Sequence, residues 1–210
     1  MALIQNANTT STVTIGPTSK AARITLYDTV GRETSRQFSI TYSTVNTFTP
    51  PATPSDMVRI TGSTTKTVRL VSIYFASSNT LGGVSQTLFL IKRFNFNQGG
   101  TFVTSTAVPH DSADVAATAV VGHYTANPTF LGNTAGTIVT SRLAVPAVTP
   151  TSFAGVAEDA GIELLPWGGI SVLDKLLTLR GADESFVVNF GGAALLTGQV
   201  HAYRVTWIEE

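Results

Sequence analysis

The only stretch of this chain that mixes imidazole and carboxylate side chains is His110-Asp111-Ser112-Ala113-Asp114. Two kinds of chemistry use those residue types. A zinc site could start there, but it needs further ligands, so His123 or His201 would have to fold beside the loop. A Ser-His-Asp set needs an oriented nucleophile and an oxyanion hole, and no nucleophile-elbow pattern is present. The simpler reading is a polar loop after Pro109 in which Asp and Ser cap backbone amides. An oxygen-ligand calcium site would use Asp111 and Asp114.

Other candidates are weaker. Gly62-Ser63-Thr64-Thr65-Lys66-Thr67 lacks the glycine before the lysine that a phosphate loop needs, and a strand rather than a helix follows it. Glu158, Asp159 and Glu163 could pair as glycosidase carboxylates, which requires a fixed separation across a sugar cleft. In a charge-poor chain they read better as a solvated loop. Arg180-Gly181-Ala182-Asp183 reads as a turn, with Gly181 or Asp183 taking the unusual backbone angle. Asn8-Thr9-Thr10 fits a glycosylation acceptor, which carries weight only behind a secretion signal. Most aromatics sit in alternating patterns and read as core. Trp167, beside Pro166 and Gly168-Gly169, is the exception. No catalytic, metal-binding or cofactor-binding residue is therefore assigned, and no cofactor is expected.

The elements that would hold these residues are strands. Charged residues make up 12% of the 210-residue chain, with thirteen basic and thirteen acidic residues cancelling. That is about half the usual share for a soluble domain. A free monomer with so few charges is poorly protected against association, so much of the surface is expected to be covered by neighbours. Thr and Ser supply the polarity instead, and Thr suits a pleated strand. Cysteine is absent, which excludes disulfides and thiolate metal sites. The scattered basic residues argue against nucleic acid. No apolar run is long enough to predict a membrane span. Met1-Ala2-Leu3-Ile4-Gln5 lacks a basic lead, so no secretory signal is expected and synthesis is placed in the cytosol.

Short alternating runs punctuated by Gly, Pro, Asn, Asp and Ser predict roughly eleven strands. They fall at 23–28, 37–45, 57–62, 67–76, 86–94, 101–108, 117–125, 136–145, 175–180, 184–190 and 199–209. Residues 62–66 read as a hairpin loop. In 67–76, Val68, Leu70, Ser72 and Tyr74 share one face, and Arg69, Val71, Ile73 and Phe75 the other. Both faces are apolar enough to predict a strand covered on both sides. In the last strand His201, Tyr203, Val205 and Trp207 share a face. A helical turn or two is allowed only at 170–177. The expected fold is all-β, a single antiparallel sandwich of jelly-roll type. It consists of an N-terminal arm at 1–11 and one domain at 12–210. The most loop-like regions are 1–11, 47–55 and 145–161.

Several segments resemble a family of structural proteins encoded by tailed bacteriophages. They are Pro54-Ser55-Asp56-Met57-Val58-Arg59-Ile60-Thr61-Gly62-Ser63-Thr64-Thr65-Lys66-Thr67-Val68-Arg69 and Leu90-Ile91-Lys92-Arg93. Val108-Pro109-His110-Asp111-Ser112, Tyr124-Thr125-Ala126-Asn127-Pro128-Thr129, Leu179-Arg180-Gly181-Ala182 and Val205-Thr206-Trp207-Ile208-Glu209-Glu210 belong to the same pattern. The likeness covers most of the chain from Pro54 onward and little of the first 50 residues. Phe94-Asn95-Phe96 departs from it, standing where small polar residues are expected. The resemblance implies a non-enzymatic virion protein, made in the host cytoplasm. Within that setting the expected role is capsid decoration or cement, with the capsid lattice and its own copies, as a homotrimer, as partners. Segments 1–11 and 47–55 are expected to reach neighbours. The alternatives are a tail or head-fibre adhesin for a host glycan or receptor, a polymer hydrolase, and a jelly-roll major shell protein.

Overall fold

The structure, a computed structural model, describes residues 3–5, 12–14, 40–80, 83–145, 161–164, 176–196 and 198–210. The chain divides into two units, Met1–Ile40 and Thr41–Glu210. In the first, β1 (Leu3–Gln5) pairs antiparallel with β2 (Thr12–Thr14), Ile4 opposite Val13. The rest of the arm expected at 1–11 and the strand expected at 23–28 lie outside the described residues.

Twelve strands complete the order: β3 (Ile40–Phe48), β4 (Asp56–Thr61), β5 (Thr67–Ser78), β6 (Val84–Arg93), β7 (Thr101–Thr104), β8 (Val108–Pro109), β9 (Val121–Ala126), β10 (Thr134–Val145), β11 (Ile162–Glu163), β12 (Leu177–Arg180), β13 (Ser185–Asn189) and β14 (Val200–Glu209). They form two antiparallel sheets. One runs β10-β6-β13-β4-β9-β7; the other runs β11-β5-β14-β3-β8, with β12 also pairing β5. Among the described residues there is no helix. The helical turn expected at 170–177 falls outside them as far as residue 175, and Leu177 opens β12.

Within these sheets, β3-β14-β5-β12 faces β4-β13-β6-β10. This is the interleaved Greek-key order of a jelly roll. Of the remaining four, β11 pairs β5, and β7, β8 and β9 come from one insertion between β6 and β10. β9 and β7 continue one sheet beyond β4, and β8 continues the other beyond β3. The insertion thus covers the same side of both sheets, which would otherwise end in exposed strand edges.

The core lies between the sheets. Along β14, His201, Tyr203, Val205, Trp207 and Glu209 are buried in strict alternation. Trp207 stacks on Tyr42 of β3 at 5.6 Å between ring centroids. Each such side chain contributes about 1.5–3 kcal/mol through apolar burial. Polar groups also tie the sheets together: Gln199 Nε2 donates to Gln86 Oε1 on β6 at 2.6 Å and to Ser77 Oγ on β5 at 3.0 Å.

Two sequence expectations are corrected. In β5 the buried residues are Val68 and Leu70, then Ile73, Phe75, Ala76 and Ser77. A bulge opposite Thr206 and Trp207 leaves Val71 as the extra residue and flips the strand's phase. From Val68 to Phe75 the strand therefore buries one face in two phases with the other half-buried, and at Phe75, Ala76 and Ser77 both faces are enclosed. Residues 62–66 are not a hairpin loop, because β4 and β5 belong to different sheets. They make a crossover in which Ser63 Oγ accepts the Thr65 and Lys66 amides, each at 3.2 Å. A Cβ at Gly62 would lie 2.2 Å from the Gly181 carbonyl oxygen, so glycine is required where the crossover passes the β12–β13 turn.

Candidate docking surface

β4, β13 and β6 carry inner residues Val58, Val188 and Leu90, in register with one another and with His123 of β9. Arg59 and Val187 alternate with these and point outward, and Met57 is the extra residue of a bulge opposite Val188 and Asn189. Met57 and Val187 are nevertheless buried. The cover is the insertion itself. β6 ends at Arg93, beside Ser185 and so level with Thr61, whereas β7 begins at Thr101 beside Ala126, beyond Val58. Residues 94–100 must cross the outer face to make that journey, and residues 127–133 return alongside them.

The two crossings form a strap knitted by short hydrogen bonds. Gln98 N–H donates to Phe130 O at 2.9 Å, and Gln98 O accepts the Thr129 and Phe130 amides at 2.9 and 3.1 Å. Phe94 N–H donates to Asn133 O at 2.9 Å, and Asn133 N–H to Asn95 Oδ1 at 2.6 Å. Gly132 passes so close that a Cβ there would lie 1.8 Å from the Asn95 carbonyl oxygen.

A buried ion pair anchors the strap to the sheet. Arg93 Nε and Nη2 donate to Asp56 Oδ2 and Oδ1 at 2.7 and 2.8 Å, with both side chains almost fully enclosed. This fork geometry is the strong form of a charged hydrogen bond. Asn97 Nδ2 donates to Asp56 Oδ2 and Asn189 Nδ2 to Asp56 Oδ1, each at 2.6 Å. Arg93 Nη1 reaches the Gly132 carbonyl at 2.6 Å and Thr134 Oγ1 at 2.9 Å. Asn97 Oδ1 accepts the Gly132 amide at 2.9 Å, and Asn189 Oδ1 the Gly191 amide at 2.6 Å. The network joins β4, β6 and β13 to both crossings. Beside it, the Arg59 guanidinium lies 3.9 Å over the Phe102 ring and donates to Tyr124 Oη at 2.6 Å.

Above this polar anchor the strap exposes large apolar side chains among uncharged polar ones. Phe94 is 59% exposed, Phe96 41%, Phe130 69% and Leu131 45%. The two crossings contain no charged residue. Aromatic enrichment with depletion of charge is the composition of interface cores, and clustered exposed apolar side chains mark interaction surfaces.

The residues singled out in the sequence do not assemble into a site. His110 Nε2 lies 2.7 Å from Ser43 Oγ, in the open on the outer side of β3. Asp111 Oδ1 accepts the Ala113 amide at 2.9 Å, and Asp111 O the Asp114 amide at 3.1 Å, so the loop caps itself. His123 and His201 sit in the core on either side of Phe48, with ring centroids 4.4 and 5.6 Å from it. No group of three metal-ligating side chains occurs among the described residues. Glu163 lies on β11 opposite Tyr74; Glu158, Asp159, Trp167 and Asn8 lie outside the described residues. Gly181 takes a φ of 81°, as its turn requires. Residues 47–55 are held close, with Pro50 and Pro54 buried and the Ala52 carbonyl accepting the Leu195 amide at 2.9 Å. Among the described residues no helix is long and apolar enough to cross a membrane.

Sequence reasoning missed Asp56, Asn97 and Asn189 entirely. The one visible signal was the aromatic pair Phe94 and Phe96 directly after Lys92-Arg93. No family model matches this chain, and no curated protein or solved structure matches it either.

Proposed function

We propose that this chain is a structural virion protein of a tailed bacteriophage, a capsid decoration or cement protein that docks on the capsid lattice through its strap. The setting rests on the resemblance quoted above. The docking face rests on one observation: a charge-free patch of Phe94, Phe96, Phe130 and Leu131 on loops locked by a buried ion pair. A patch held rigid before contact loses little conformational freedom on binding, so more of its apolar burial appears as affinity. Many identical weak contacts across a lattice, together with self-association as a trimer, would then add as avidity. The jelly roll supplies a stiff platform but names no function by itself.

An adhesin is the second reading, favoured by the exposed rings, which could stack on a sugar. A glycan site also needs polar groups free to converge on hydroxyls. Here Asn97 is enclosed and Asn95 Oδ1 is taken up within the strap, while Gln98, Thr129 and Asn133 stand exposed beside the rings, so binding to a glycan array separates the two readings. Cryo-electron microscopy of the virion that carries this chain tests the proposal. Density repeated over the capsid exterior at local symmetry axes, with the strap against the shell, is the expected result. A few copies at the tail or at one vertex would overturn it and make host binding the working account. Density forming the shell itself would make this the major capsid protein.

A further inference from the structure

His201 is fully enclosed, and neither ring nitrogen has a hydrogen-bond partner. Its neighbours are three phenylalanines: Phe190 at 5.0 Å, Phe75 at 5.1 Å and Phe48 at 5.6 Å between ring centroids. Phe75 and Phe48 come from one sheet, and Phe190 follows β13 of the other, so the imidazole is wedged where the sheets meet. A neutral imidazole already leaves a donor and an acceptor unsatisfied there. A cation would meet only ring carbons.

The strands packed around it offer no counter-charge among the described residues. His123 of β9 and Tyr203 of β14 are the titratable groups facing this part of the core, bonded to each other through Nδ1 and Oη at 3.2 Å. On β3, Tyr42 packs further along against Trp207. On β5, Tyr74 and Arg69 alternate with the buried residues and face outward; on β14, Arg204 lies over Tyr74. Asp56, near Phe190 in the chain fold, is bound by Arg93. Glu209 stands at the far end of β14, bonded to Thr118 and Ala119.

We propose that His201 is an acid-triggered wedge: on taking a proton it must leave its phenylalanine cage, and the sandwich opens at the end where β14 begins. Burial pushes its pKa from 6.5 down to about 3, and burial likewise lowers that of His123. The unfolded or opened chain therefore binds protons from about pH 6.5 downward, while the closed core refuses them. Stability is complete above that pH and is lost as pH falls toward the folded value. The described residues released are 190–196 with 198–199, held to the body by the bonds of Gln199 to Gln86 and to Ser77 and by the Leu195 amide on Ala52.

The test is chemical unfolding of the full chain between pH 8 and pH 5, a range chosen to lie above carboxylate titration. The folding constant of the wild type should be level above pH 7, then fall by about tenfold per pH unit for each histidine involved. His201→Phe and His201→Leu should each remove one tenfold step per unit, and His123→Gln should leave that step in place. Limited proteolysis at pH 5 should cut the wild type within 190–199 and spare both His201 variants. The ring nitrogens of His201, followed by NMR in the folded wild type, should remain those of a neutral imidazole at pH 5. A level wild-type profile, a slope unchanged in both His201 variants, or a protonated His201 ring in the folded chain would overturn the proposal.

Discussion

Replacing Asp56 with alanine is the sharpest test of how the strap is held. The carboxylate is fully buried and accepts from Arg93 Nε and Nη2, Asn97 Nδ2 and Asn189 Nδ2 at 2.6–2.8 Å. Its loss leaves the enclosed Arg93 cation with only the Gly132 carbonyl and Thr134 Oγ1. Removing one member of a buried ion pair costs about 3–5 kcal/mol, because the remaining charge stays desolvated. Whole domains stand on about 5–15 kcal/mol, so Asp56→Ala should take about a fifth of the total or more. Removing both charges is a different perturbation. The double variant Asp56→Leu with Arg93→Met should regain the part owed to the stranded charge, but not the part owed to the Asn97 and Asn189 amides and the Gly132 carbonyl, which lose their partners. It should still weaken docking, because neither new side chain can hold the Gly132 carbonyl. Urea unfolding followed by tryptophan fluorescence gives the stabilities, and double-mutant comparison isolates the coupling. A loss below about 1 kcal/mol for Asp56→Ala would place the pair among ordinary surface ion pairs and refute the anchoring argument.

Two further outcomes follow from the described contacts. Burial pushes the Glu209 carboxyl up, but hydrogen bonds from Thr118, Ala119 and Trp207 outweigh it and hold the group below its ordinary value. Its contribution is present above the unfolded value near 4.5 and is lost as pH falls through the lower folded value. Glu209→Gln should cost about 2–3 kcal/mol at pH 7 and flatten the acid limb of a thermal-melting profile below pH 4.5; an unchanged limb would contradict the assignment. Changing Phe94, Phe96, Phe130 and Leu131 together to serine should alter stability by no more than about 0.5 kcal/mol per site. The same change should abolish co-sedimentation with capsids stripped of the protein; retained binding would move the docking face elsewhere.

The strands were legible because their signal is local. β14 alternates over ten residues, and the face shared by His201, Tyr203, Val205 and Trp207 is the buried one; Glu209, also buried on it, was not foreseen. β5 misled for a local reason too: a bulge has no composition of its own, so Val71 made both faces look apolar. The crossover at 62–66 has the glycine and hydroxyl content of a hairpin, and only the partners of β4 and β5 tell the two apart. The candidate site was nearly invisible because its parts are distant in the chain: Arg93 and Asp56 are 37 residues apart, and Asn189 and Asp56 133. Single Asp, Arg and Asn residues in a polar-looking stretch give no hint that they share one enclosure. Phe94 and Phe96 stood out only because they broke an expected pattern. His110 stood out in the sequence beside two carboxylates, yet it is His123 and His201 that the core encloses.

The pairing of β3 with β14 has a mechanical consequence. Ser43 lies beside Thr206 and Phe48 beside His201, so the two strands run in opposite directions. The chain therefore enters the sandwich near Thr41 and leaves it at Glu210 on the same side. A pull applied between those two points loads the β3–β14 ladder one rung at a time, like a zipper, and not all rungs together in shear. A tether at either end can thus peel this seam under modest force, whereas a load carried through the strap falls on the Asp56–Arg93 anchor instead.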